Sequence, residues 1–255
     1  MLRSIKDLHG YTIQATDGEM GEVYEFYFDD ELWAVRYVVV ETGNWLSGRR
    51  VLISPAVLGQ PNAEEERLPV SLTRDQVRNS PEVDTDKPIS RQKEQELNAY
   101  YGWPAYWTAG EGPAGHSQAI IGAYAQGPVL TEEEPEARAE PSSQDKTRLR
   151  STRDVIGYYI QASDGDIGHV QDFVVDDEIW EIRYMVVDTR NWWPGKEVLV
   201  APQWIEKVGW EEGKVHVDLT RESIRNSPEF DNLSAVNRDY ENRLYEHYRR
   251  RKYWS

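Results

Sequence analysis

Cysteine is absent from the 255 residues, which excludes disulfides, thiolate nucleophiles and cysteine-ligated zinc together. Basic residues are short: 29 Lys and Arg face 45 Asp and Glu, a formal charge of −16. Acidity of that size favours solubility and opposes sequence-independent binding to phosphate backbones, so nucleic acid is not expected as a partner. Long hydrophobic runs are missing too. The most apolar stretches, around Tyr37–Val40 and Tyr184–Val187, fall far below the roughly 20 residues that a transmembrane helix needs. The opening Met1-Leu2-Arg3-Ser4-Ile5-Lys6-Asp7 has no apolar signal core. A soluble, cytoplasmic chain without a transmembrane segment is expected.

What is present is a repeat. Residues 1–107 return, shifted by 147 positions, as residues 148–254, with no insertion or deletion. Gly10-Tyr11-x-Ile13-Gln14-Ala15-x-Asp17-Gly18-x-x-Gly21 becomes Gly157-Tyr158-x-Ile160-Gln161-Ala162-x-Asp164-Gly165-x-x-Gly168. Between Asp7–Pro55 and Asp154–Pro202, 26 of 49 aligned positions are identical. Groups held by only one copy therefore cannot be what both copies do. A unit of this size can fold alone, whereas solenoid repeats are about 20–50 residues long. Residues 108–147 interrupt the pattern with small, acidic and proline residues, such as Thr131-Glu132-Glu133-Glu134-Pro135. Such a stretch buries too little apolar surface to offset its ordering entropy, and reads as a flexible acidic linker. The expected organisation is a domain at 1–107, the linker at 108–147 and a second domain at 148–255.

Within each copy the early hydrophobic period is two. Tyr11–Ala15, Val23–Phe28, Leu32–Glu41, Arg50–Ile53 and Leu68–Ser71 read as strands, with Asp17-Gly18 a strong turn signal. Helical signals come later. Thr73 and Gln76 have capping-box spacing, and a helix is expected from about Ser90 to Tyr101, with a counterpart near Asn237–Arg251. Many short strands with tight turns predict an all-β fold: two tandem small antiparallel barrels, each followed by a C-terminal helix.

The pattern Asp-Gly-x-x-Gly-x-Val, Asp-Asp and Trp-x-Val/Ile-Arg-Tyr, carried by Asp17, Gly18, Gly21, Val23, Asp29, Asp30, Trp33, Arg36 and Tyr37 and repeated 147 positions on, resembles the PRC-barrel family. That family is named for the cytoplasmic barrel of the photosynthetic reaction-centre H subunit and includes the C-terminal domain of a ribosome maturation factor. The later Leu-Thr, Asn-Ser-Pro and tyrosine-rich helix resemble bacterial stand-alone members, which often carry two barrels. The resemblance implies the barrel fold and protein-binding or assembly surfaces. Reaction-centre H subunits begin with a membrane-spanning helix that this sequence lacks, so membership of a reaction centre is not expected.

Candidate chemistry can be weighed across the copies. His9, His169, His216 and His247 face Ile156, Glu22, Pro69 and Tyr100, and His116 lies in the linker, so a shared imidazole centre is not expected. Carboxylates do recur: Asp29, Asp30 and Glu31 match Asp176, Asp177 and Glu178. They read first as turn residues and second as oxygen ligands for a cation such as calcium. Arg36 and Arg183, inside the most apolar strand, call for an ion-pair partner, and the neighbouring aspartates are the nearest. Among the aromatics, Trp45, Trp192, Trp193 and Trp204 are the candidates for a protein interface; the recurrent Trp45 and Trp192 read first as core or barrel-rim residues, and Trp193 and Trp204 suit core and interface equally. The functional expectation is a non-enzymatic protein-binding or assembly module, cofactor-free, its barrels pairing within the chain or with other copies. The alternative is a small-ligand or cation-binding protein.

Overall fold

The computed structural model describes residues 1–85, 87–108, 148–190 and 195–254. The expected linker therefore lies outside the described residues apart from Thr108, and so do Trp192 and Trp193. In chain order the elements begin β1 (Leu2–Ser4), α1 (Ile5–Leu8), β2 (Thr12–Ala15), β3 (Gly18–Asp29), β4 (Ala34–Glu41), β5 (Arg50–Ile53), β6 (Arg67–Pro69), α2 (Arg74–Arg78) and α3 (Arg91–Tyr101). They continue with β7 (Leu149–Ser151), α4 (Thr152–Val155), β8 (Tyr159–Ala162), β9 (Gly165–Asp176), β10 (Glu181–Asp188) and β11 (Glu197–Val200). The last are β12 (Ile205–Gly209), β13 (Lys214–Val217), α5 (Arg221–Arg225) and α6 (Arg238–His247). The described residues are mostly β, 38% strand and 25% helical, so the all-β expectation understated the helices. Among the described residues no helix is long and apolar enough to cross a membrane.

Two compact units result, and their boundaries do not follow the repeat. One unit is Gly10–Leu149; the other combines Met1–His9 with Arg150–Ser255. In the first unit the strands run β6-β2-β3-β4-β5. β4 is rich in β-branched residues, and all but Glu41 are buried. Both faces of the strand are thus covered, as in a sheet packed on either side. β3 is long for a strand and shifts register at Val23/Glu25 and Tyr27/Phe28 against β4, irregularities that bend a strand and raise its twist. One expectation is corrected here: β6 pairs with β2 in parallel, Ile13 opposite Leu68. The intervening β3–β5 segment supplies the long crossover that a parallel pair requires.

The second unit repeats this register pair by pair. Val39 opposite Leu52 returns as Val186 opposite Leu199, and Phe26 opposite Val38 returns as Phe173 opposite Met185. The parallel pair returns as Ile160 opposite Val215. β12 adds a hairpin partner to β13, where the first unit has only the bridges Leu58–Val70 and Asn62–Arg67. β1 also belongs to this unit. It lies antiparallel on β9, with Leu2 opposite Asp176, Arg3 opposite Val175 and Ser4 opposite Val174.

Helix ends follow their capping residues. Thr73 and Gln76 form the expected reciprocal box, Ser90 Oγ accepts the Lys93 N–H at 3.2 Å, and Asn237 Oδ1 accepts the Tyr240 N–H at 2.9 Å. Tyr240, Leu244 and Tyr248 are buried, so the helical stripe faces the core. One glycine pair is sterically obligatory. A Cβ on Gly21 (φ +144°) would lie 2.2 Å from the Glu41 carbonyl oxygen, and one on Gly168 (φ +75°) 2.2 Å from that of Asp188. Either glycine changed to alanine should destabilise its unit by about 1–3 kcal/mol, read as a lower urea midpoint. Gly10→Ala, where nothing lies within 4 Å, should cost only the left-handed backbone term of about 1–2 kcal/mol.

Candidate functional site

The recurrent acidic turns are engaged by their own protein. Asp29 is buried, and its Oδ1 accepts the N–H groups of Glu31 and Leu32, both at 3.0 Å. That turn holds Trp33 in a left-handed conformation, as its counterpart holds Trp180. The Asp30 N–H donates to the Arg148 carbonyl at 3.0 Å, and Glu31 pairs with Arg148. In the second unit Asp176 accepts the Glu178 N–H at 3.1 Å, while the Glu178 side chain is exposed. Asp17 and Asp164 accept the backbone N–H groups of Arg74 and Arg221, at 2.8 and 2.7 Å, where α2 and α5 begin. Among the described residues no group of three or more His, Asp or Glu side chains could hold a metal ion.

The aromatic candidates separate. Trp204 is 3% exposed and packs on Tyr245 and Tyr248 at centroid distances of 5.3 and 4.7 Å. It belongs to the core, because the apolar stripe of α6 covers it, and the interface expectation for Trp204 is corrected. Trp45 is half-buried; its Nε1–H donates to the Met20 carbonyl, and the guanidinium of Arg74 lies 4.7 Å from its ring centroid. Trp192 and Trp193 are outside the described residues.

The expected arginine ion pairs hold in one copy. Arg183 reaches Glu181 at 2.6 Å and Asp176 at 3.8 Å. Arg36 has no ion pair among the described residues. It lies over the Tyr106 ring at 4.2 Å, because the aromatic tail folds back across it.

That tail leads to a recurrent buried carboxylate that sequence reasoning missed. Glu94, on α3, is fully buried. It accepts the Tyr106 hydroxyl at 2.7 Å and the Tyr37 hydroxyl at 3.3 Å, and pairs with Arg91 at 3.1 Å. In the second unit Glu241 accepts Tyr184 at 2.7 Å and Tyr253 at 2.9 Å, and pairs with Arg238 at 3.0 Å. Arg91 stacks over Trp107 and Arg238 over Trp254. A buried carboxylate costs several kcal/mol to desolvate unless its oxygens are satisfied; here three groups satisfy each one. Each cluster ties strand, helix and tail together. The signal was available: Arg91, Glu94, Tyr106 and Trp107 all recur at the offset of 147, but an Arg-x-x-Glu pair on a polar helix reads as solvated surface.

The second missed constellation lies on β9 and holds residues 1–9. Two buried carboxylates receive them. Asp177 accepts Arg3 Nε at 2.6 Å and the N-terminal ammonium at 2.6 Å. Asp172 accepts the Ser4 hydroxyl at 2.5 Å and the Lys6 N–H at 3.1 Å. Burial pushes the Asp172 carboxyl above its ordinary pKa, against the donors from Ser4, Phe173 and Lys6. Ile5 and Leu8 are 0% and 1% exposed, so the segment is read by strand pairing, two charged or hydroxyl anchors and two apolar plugs. Its strand, Leu2-Arg3-Ser4, is identical to Leu149-Arg150-Ser151, which was the overlooked clue.

Residues 2–77 match the family model of the PRC-barrel domain. The chain carries a PRC-barrel domain. The match opens with β1 and ends within α2, so the stretch recognised as a PRC barrel contributes its first strand to the unit built on β9. No curated protein matches the chain.

Two outcomes follow for the buried glutamate clusters. Burial first, and then the neighbouring carboxylates, raises the tyrosines: Tyr37, Tyr106 and Tyr184 move well up and Tyr253 to about 12. A raised phenol contributes stability that is complete below its unfolded value of about 10 and is lost as pH rises through the folded value. Absorbance of tyrosinate should therefore lag on alkaline titration, then rise together with loss of circular dichroism near pH 12. Glu241→Ala leaves the buried Tyr184 hydroxyl and the Tyr253 hydroxyl without their acceptor, while Arg238 is exposed enough to be solvated; it should cost about 1–3 kcal/mol, measured by urea denaturation.

Proposed function

We propose that this chain is a non-enzymatic protein-binding and assembly module that takes an extended segment by strand addition. One observation carries the reading. The unit built on β9 accepts a strand from elsewhere in the sequence, Arg3 meeting Asp177 across 174 positions. Main-chain pairing supplies affinity in this mode, and pockets for particular side chains supply selectivity. The Asp177 and Asp172 anchors and the cavities filled by Ile5 and Leu8 have that form. The recurrent polar groups support a non-enzymatic role, since the turn aspartates hold backbone amides and the buried glutamates hold tyrosines and arginine.

The test is direct binding of a synthetic peptide, residues 1–9, carrying a fluorophore at its C-terminal end. Full-length Arg3→Glu places a second carboxylate beside buried Asp177 and should vacate the groove. Anisotropy should show saturable peptide binding to this variant, at least tenfold tighter than to the wild-type chain. Peptide bearing the same Arg3→Glu change should not bind. Equal, weak binding of both peptides by a folded variant would overturn the reading.

A further inference from the structure

Residues 1–9 form a separable donor. The boundary between the two units falls between His9 and Gly10, and Gly10 has φ +81° with nothing within 4 Å of a notional Cβ. The open, left-handed glycine lets the chain change direction there without a packing penalty. The second repeat has the same device at Gly157, φ +96° and equally open. It follows an identical Leu-Arg-Ser strand, Leu149–Ser151. Donor, glycine joint and acceptor strand are thus a matched set.

The acceptor selects this donor by charge. Arg3 and Lys6 bring positive charge to an edge whose buried groups are Asp172 and Asp177. A strand lacking the arginine would leave Asp177 without that partner in a site that is 1% exposed, where an unpaired charge is strongly disfavoured. A strand lacking the hydroxyl would lose the Ser4 bond to Asp172. Every copy of the chain carries a segment that meets these requirements.

We propose that the β9 edge is a receptor for residues 1–9 of a second copy of this chain, so that copies join by exchanging this segment about Gly10. The proposal rests on the segment-binding reading and names its partner. Exchange of an identical element is a low-cost route to dimers, because bonds broken within a copy re-form between copies. Within one chain the donor enjoys an effective concentration of about millimolar. The wild-type chain therefore stays closed at micromolar concentration, and opening the closed form is what reveals the exchange.

Charge reversal supplies the experiment. Full-length Arg3→Glu and full-length Asp177→Arg each juxtapose like charges when closed. Mixed, they can exchange segments so that Arg3 of one meets Asp177 of the other and Glu meets Arg in return. Sedimentation velocity should show each variant alone as monomer and the equimolar mixture as a dimer. The chain bearing both changes should be monomeric again. A mixture that sediments as the sum of its parts, with both variants folded by circular dichroism, overturns the proposal. If the nine-residue peptide still binds Arg3→Glu, the segment-binding reading survives that failure; if it does not, both fall.

Should either reversal prevent folding, the absence of native cysteine allows a second measurement. Leu2→Cys in one copy and Asp176→Cys in another face each other in the pairing register. After co-refolding at high concentration and mild oxidation, peptide mapping should find the 2–176 cross-link between copies. Cross-links confined to 2–2 and 176–176 would overturn the proposal.

Discussion

A strand edge buried in a protein must find partners for its amides and carbonyls, and the second half of β9 sets that requirement here. On one side it pairs with β10; on the other it pairs with β1. Backbone pairing alone carries no preference among donors. The preference comes from Asp177 and Asp172, whose charges are tolerable in a buried place because Arg3, Ser4 and the Lys6 amide meet them. Placement of α1 follows from the same contacts, since Ile5 and Leu8 are carried into the core behind the strand. The composition of the whole unit, drawn from both ends of the described chain, depends on this edge.

A second constraint acts at the opposite end of the sequence order. Glu94 and Glu241 are acids placed where acids are expensive, and each is surrounded by hydroxyl and guanidinium donors from three different places in the chain. A network of this kind does more for uniqueness than for net stability, because an apolar substitute could fill the space without specifying an arrangement. It fixes which face of the helix turns inward and where the aromatic tail lies. The basic run after α6 is also held internally, with Arg250 bonded to Asp218 and Lys252 to Asn242.

The strand framework was legible because period-two alternation and Asp-Gly turns are local signals. β5 at Arg50–Ile53 was placed to the residue, and the register is common to both copies. The parallel return of β6 to β2 was not legible, since nothing in Leu68-Pro69-Val70 states which strand it meets. Trp204 looked adhesive because the residues that cover it, Tyr245 and Tyr248, stand more than 40 positions later. The repeat itself misdirected one inference. Contiguity of residues 1–107 suggested a self-contained domain, yet identity of Leu2-Arg3-Ser4 with Leu149-Arg150-Ser151 makes either strand chemically fit for β9. Sequence similarity between copies cannot say which donor goes where; only the three-dimensional path does.

The distance between Arg3 and Asp177 also orders events in time. During synthesis residues 1–9 are made long before the strand that receives them, 174 positions on from Arg3. Domains ordinarily fold as they leave the ribosome, earlier ones first. Residues 1–9 therefore cannot take their place on β9 until that strand has been made, and a chain halted midway leaves the segment without its receptor. Completion of the second repeat is thus the step that puts the beginning of the chain in place.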